Sequence, residues 1–133
     1  MDRMIFVNLP VADLRASRDF YTGLGFSVNE MFSDDQATAV VVSDTIVVML
    51  LARERFADFA RAPIADARAT VQVLHALSAD SREEVDTLFA NALAHGGAQY
   101  RDTQAEDPMY ERAVTDPDGH VWEFFHMDTS ANG

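Results

Sequence analysis

The sequence predicts an α+β protein built from two tandem βαβββ modules, and three observations predict it. Short apolar runs of strand length recur along the chain, two amphipathic segments of helix length interrupt them, and the order strand, helix, strand, strand, strand occurs twice. The two copies also share an Asp at each helix start, Asp13 and Asp80, and glycines at each helix end, Gly23 with Gly25 and Gly96 with Gly97. The repeat is about 65 to 70 residues long. Module one covers about residues 3–60 and module two about 69–128 of a single domain.

Met4 to Val11 reads as a buried strand, after which Asp13 caps a helix through Tyr21 with Leu14, Phe20 and Tyr21 on its apolar side. Phe26 to Phe32, Ala37 to Val42 and Thr45 to Leu51 follow as strands, separated by the polar turns Ser33-Asp34-Asp35 and Ser43-Asp44. Arg53 to Ala60 has the pattern of a short amphipathic helix, and Pro63 with the polar stretch through Arg68 supplies the linker. In the second module Thr70 to Ser78 reads as a strand. Asp80 or Ser81 then caps a helix from Arg82 to His95 with Val85, Leu88, Phe89 and Leu93 inward. Ala98 to Arg101, Tyr110 to Thr115 and Val121 to Met127 supply three more strands. The last two are joined through Asp116-Pro117-Asp118-Gly119, where Pro fixes φ early in the turn and Gly accepts the left-handed conformation late in it.

With 133 residues, 48% of them hydrophobic and 10% aromatic, the chain can bury an ordinary core. It has no cysteine, which excludes disulfides, thiolate metal sites and cysteine nucleophiles and suits a reducing, cytoplasmic setting. The N-terminus passes directly into a strand without the pattern of a signal peptide, and the longest apolar runs are too short to cross a bilayer. A net charge of −12 with ten scattered basic residues argues against nucleic acid and anionic membranes as partners, because neutralising phosphates requires clustered positive charge.

Three segments carry a family resemblance: Phe6-Val7-Asn8-Leu9-Pro10-Val11-Ala12-Asp13-Leu14, Phe20-Tyr21-Thr22-Gly23-Leu24-Gly25-Phe26 and Asp116-Pro117-Asp118-Gly119-His120-Val121-Trp122-Glu123. Together they resemble the vicinal oxygen chelate superfamily of glyoxalases, bleomycin-resistance proteins and extradiol dioxygenases, over about residues 4–127. The chain looks most like the subgroup labelled predicted lactoylglutathione lyase. The resemblance implies a curved mixed sheet around a cleft and a homodimer. In metal-dependent members it also implies one ligand on the first and last strand of each module. Carried onto this sequence, those four positions read Phe6, Met49, Leu74 and Glu123. One carboxylate beside Phe, Met and Leu does not supply the three or four hard donors that a divalent transition metal requires, so no metal or other cofactor is expected.

Glu123 is the candidate catalytic or anchoring residue. Strand alternation places it with Val121, Phe125 and Met127 toward the cleft, where apolar neighbours would raise its pKa and suit it to acid-base work or a hydrogen bond to ligand. Alternatively it hydrogen-bonds Arg112 or Asn8 across the sheet. Asn8 shares the face of Phe6, and Gln72 that of Leu74, so both amides are candidate ligand contacts, or ordinary polar positions near strand ends. Met49 and Phe125 are candidate apolar lining. Tyr110 and Arg112, where a loop runs into a strand, are candidate specificity contacts or part of an exposed loop. Alternation turns His75 away from the cleft, and none of the four histidines forms a metal spacing with another. The expected function is binding of a small, partly hydrophobic molecule without the usual metal. The alternative is a divalent-metal-dependent lyase or isomerase of the lactoylglutathione lyase kind, or a dioxygenase.

Overall fold

The structure, a computed structural model, describes residues 2–128 and divides into two compact units, residues 1–66 and 67–133 by sequence. In the first unit the elements are β1 (Ile5–Val11), α1 (Leu14–Gly23), β2 (Ser27–Asn29), β3 (Ala37–Val41), β4 (Ile46–Ala52) and α2 (Arg53–Phe59). The sheet order is β1-β4-β3-β2, with β1 parallel to β4 and the remaining pairs antiparallel. Asp13 caps α1 as expected, its carboxylate accepting from the amides of Arg15 and Ala16. Phe20 and Tyr21, both fully buried, meet edge to face at 4.9 Å between centroids and fill the unit's core with Leu9, Val40, Val48 and Leu50.

The second unit repeats this plan with β5 (Leu74–Ser78), α3 (Arg82–Ala94), β6 (Ala98–Gln104), β7 (Met109–Thr115) and β8 (Val121–Met127), in the order β5-β8-β7-β6. Here β5 runs parallel to β8, and β8-β7-β6 are antiparallel. Each unit is therefore a four-stranded mixed sheet with a βαβββ order, the predicted α+β architecture. Its crossover helix covers one face, because a parallel pair requires a long connection.

Three expectations are corrected by local chemistry, and one open alternative is resolved. The strand expected from Phe26 to Phe32 stops at Asn29, whose side chain accepts from Met31 N–H and starts a single 3₁₀ turn over Glu30–Phe32. The strand expected from Thr70 begins only at Leu74. Leu74 pairs with Val121, the first residue of β8, so the Asp116–Gly119 turn leaves residues 70–73 no strand to bond. Of the two cap candidates, Asp80 and Ser81, the cap is Ser81: Ser81 Oγ accepts from Glu84 N–H, while the Glu84 carboxylate accepts from Asp80 N–H. Leu93, expected inward, is exposed because the packed stripe of α3 runs through Val85, Phe89 and Ala92.

The turn before β8 is built as its sequence suggests. Asp116 carboxylate accepts from the amides of Asp118 and His120, and Gly119 sits at φ +95°. A Cβ at Gly119 would lie 2.9 Å from Arg68 Cγ and 3.1 Å from Arg68 N. Arg68 in turn donates to Pro117 O, so the start of the second unit is held against this turn.

Candidate functional site

The register of β7 against β8 decides which residues share a face with Glu123. Thr115 pairs with Val121, so Ala113 lies opposite Glu123 and Glu111 opposite Phe125. Side chains alternate, which puts Glu111, Ala113, Glu123 and Phe125 on one face and Tyr110, Arg112, Val114, Trp122 and Phe124 on the other. The second face carries α3: the Arg112 guanidinium sits 3.5 Å above the Phe89 ring centroid, and both Arg112 Nη1 (3.1 Å) and Tyr110 Oη (2.5 Å) donate to Asp86 Oδ1. Glu123 is therefore on the helix-free face.

Strand β6 joins it there by an irregularity. Ala98 pairs with Thr115 on the helix-free face, and strict alternation would send Arg101, three residues on, to the helix face. A bulge between Gln99 and Arg101 adds one residue and turns Arg101 back, opposite Ala113. A second bulge before Gln104 keeps that residue opposite Glu111. Arg101 consequently lies between two carboxylates: Nη1 donates to Glu123 Oε2 at 2.7 Å, and Nη2 pairs with Glu111. With 31% of the Arg101 side chain, 18% of Glu111 and 12% of Glu123 accessible, solvent screens the cluster only in part. At the end of the β6–β7 hairpin a pocket of about 490 Å³ opens, lined by Arg101, Gln104, Glu106, Asp107, Pro108, Met109 and Glu111.

The other sequence candidates are distributed as follows. Asn8 and Met49 are opposite one another on β1 and β4, on the same face of the first unit's sheet as Phe6. Asn8 Nδ2 makes one long contact, 3.4 Å, to Phe6 O. Phe125 neighbours Glu123 on its strand face. Gln72 precedes β5 and is exposed, so the alternation that placed it beside Leu74 does not apply. Tyr110 and Arg112 face α3 rather than Glu123, and the Tyr110 phenol is held above its ordinary pKa chiefly because it donates to Asp86. Glu123 has neither Arg112 nor the expected apolar shell as its immediate partner; it has Arg101.

Sequence reasoning missed Arg101 and Glu111. Glu111 was recoverable from the turn: with Thr115 paired to Val121, counting back puts Glu111 on the face of Glu123. Arg101 was not, because a bulge leaves no mark in an apolar pattern as polar as Ala98–Gln104.

Three of the four histidines bond main-chain carbonyls. His75 Nδ1 lies 3.2 Å from Val121 O with its ring stacked on Trp122, His126 Nδ1 lies 3.0 Å from Ala79 O, and His95 Nδ1 lies 2.8 Å from Asn91 O. Burial is the main reason that the His75 pKa falls below its usual range, with the charge of His120 adding to it against the Val121 hydrogen bond.

A model of the Glyoxalase/Bleomycin resistance protein/Dioxygenase superfamily matches residues 3–124. The chain belongs to this superfamily. Among solved structures, a hypothetical protein from S. aureus is 25% identical, with a TM-score of 0.79 over 95% of this chain and 94% of that one. A glyoxalase/bleomycin resistance protein/dioxygenase family enzyme from Burkholderia phytofirmans PsJN is 19% identical, with a TM-score of 0.78 over 96% and 100%. A lactoylglutathione lyase from Agrobacterium tumefaciens is 18% identical, with a TM-score of 0.67 over 95% and 94%. A search of curated proteins finds no match.

The superfamily's metal does not fit the residues present. Phe6 and Leu74 offer no donor atom, Met49 offers only a soft thioether, and the remaining carboxylate, Glu123, is engaged by a guanidinium. A divalent ion at Glu123 would meet the positive charge of Arg101 within a few ångströms, with no second hard donor among the family positions to offset it. Among the described residues no three His, Asp or Glu side chains cluster as a metal site, and no helix is long and apolar enough to cross a membrane.

Proposed function

We propose that this superfamily member binds a small, partly hydrophobic molecule on the helix-free face of its second unit, with Glu123 as the polar anchor and without a metal ion. One observation carries this reading: the single hard donor among the four family ligand positions is committed to Arg101. A carboxylate fixed in this way keeps its second oxygen as an acceptor for a ligand N–H or O–H. Phe125 on the same face, with Leu74 half exposed on β5, supplies apolar contact. On the first unit's own sheet, Asn8 and Met49 share a face and are proposed as ligand contacts there. Tyr110 and Arg112 hold α3 to the sheet through Asp86 and have no part in this reading of the ligand site.

The test is a thermal-shift screen of small aromatic and aliphatic compounds in the presence of a chelator, followed by calorimetry of the hits on wild type and Glu123→Gln. The reading expects saturable binding indifferent to chelator and weakened about tenfold or more in the variant, the effect of losing a hydrogen bond to a charged group. Binding or turnover that requires an added divalent metal favours the lyase, isomerase or dioxygenase alternative instead.

A homodimer in the cytoplasm is part of the same proposal. β1 and β5 are edge strands of their sheets and expose Ile5, Phe6 and Leu74, apolar area that a second copy would remove from water. Sedimentation equilibrium of the full chain decides between one copy and two.

A further inference from the structure

Resting on the small-molecule reading above, we infer that the β6–β7 hairpin pocket is a subsite for the protonated amine of a small organic cation. The pocket lies at the end of the Glu123 face, and its volume of about 490 Å³ suits a small ligand. The first bulge of β6 turns Arg101 into it and the second keeps Gln104 there, and bulges of this kind are a recurrent means of aiming side chains beside binding sites. Pro108 and Met109 give it an apolar floor, and Gln104 an amide that can both donate and accept.

Charge decides the ligand class. Arg101 is the pocket's one cation, and its guanidinium is occupied on both sides, by Glu111 through Nη2 and by Glu123 through Nη1. It has no free fork to offer a carboxylate or phosphate. The lining includes three carboxylates, Glu106, Asp107 and Glu111, of which Asp107 pairs with Arg82. With Arg82 and Glu123 included, four carboxylates face two guanidinium groups, leaving two negative charges unbalanced. An anionic ligand would enter against this field, whereas an ammonium group would complete it. The chain's net charge of −12 steers in the same direction.

The experiment compares three probes of one shape, phenethylamine, phenethyl alcohol and 3-phenylpropionate, by amide chemical-shift titration of the full chain at millimolar concentration. The expected result is a saturable response of amides between Gln104 and Glu111 to the amine, weaker with the alcohol, absent with the carboxylate and diminished by added salt. Glu106→Gln, which changes an exposed side chain and leaves the Arg101 pairs in place, is expected to weaken the amine about two- to fivefold. The inference is overturned if the carboxylate binds this segment as well as the amine does, if the amine leaves the segment unmoved, or if Glu106→Gln leaves its affinity unchanged. An amine that binds the Glu123 face but not the hairpin would remove the subsite while keeping the small-molecule reading.

Discussion

Single side chains in this protein carry consequences that reach beyond their own contacts. His75 is half-buried, stacked at 4.6 Å on Trp122, and holds its proton less readily than an exposed imidazole. Its folded pKa lies below the unfolded value of about 6.5, so between the two the unfolded chain binds more protons. Stability is therefore expected to fall as pH drops through about 6.5. Urea unfolding followed by the fluorescence of Trp122, the chain's single tryptophan, reads this directly. Wild type should lose more stability than His75→Gln on acidification, and parallel curves would show that His75 is not the group responsible. Gly119 makes a second prediction at this scale. Alanine there would need a left-handed φ of +95° and would meet Arg68 at 2.9 Å, so Gly119→Ala is expected to cost about 1–3 kcal/mol. An unchanged urea midpoint would mean that the Arg68 segment moves aside freely.

At the scale of elements, α3 is tied to its sheet by a charged clamp rather than by apolar packing alone. Arg112 covers Phe89 and, together with Tyr110, holds Asp86. Arg112→Ala is expected to destabilise the protein by about 1–2 kcal/mol through the lost ring contact and stem packing, with Arg112→Lys recovering only part. Ligand affinity at Glu123 should not change. The reverse pattern, with affinity lost and stability kept, would return Arg112 to the binding site where its place near a loop first suggested it. The same strand shows how far a sequence can be read. The elements were legible because their caps and turns are local: Asp13 and Ser81 satisfy the first amides of their helices, and Asp116–Gly119 closes its hairpin within four residues. The faces were legible where alternation runs unbroken, which placed Glu123 with Phe125 and turned His75 toward the helix side. They were not legible on β6, where one inserted residue reverses the pattern at Arg101 and a second restores it by Gln104, nor at Gln72, where the partner strand had already ended. Asn29 shows a third limit: a side chain that bonds a nearby amide ended a strand that hydrophobicity would have continued.

At the scale of the whole molecule, two units share one plan and carry different chemistry at equivalent places. Phe6 stands opposite Val47 and Leu74 opposite Val121, so the registers make Met49 the counterpart of Glu123. The repeat preserved the sheet and not the ligands, consistent with function residing in particular side chains grafted on a common fold. The family membership and the four ligand positions could be read from motifs at fixed distances from the helix caps. That Glu123 is locked to Arg101 could not, because it depends on a bulge in a strand 22 residues away in sequence. The central claim is that Glu123 serves a small molecule rather than a metal, and metal content tests it most directly. Elemental analysis of untagged wild type and Glu123→Gln, purified without chelator and re-measured after incubation with Zn²⁺, Ni²⁺ or Fe²⁺ and desalting, should find no stoichiometric metal in either. Near-stoichiometric metal in wild type that disappears in Glu123→Gln would contradict the account and return the chain to metal-dependent chemistry.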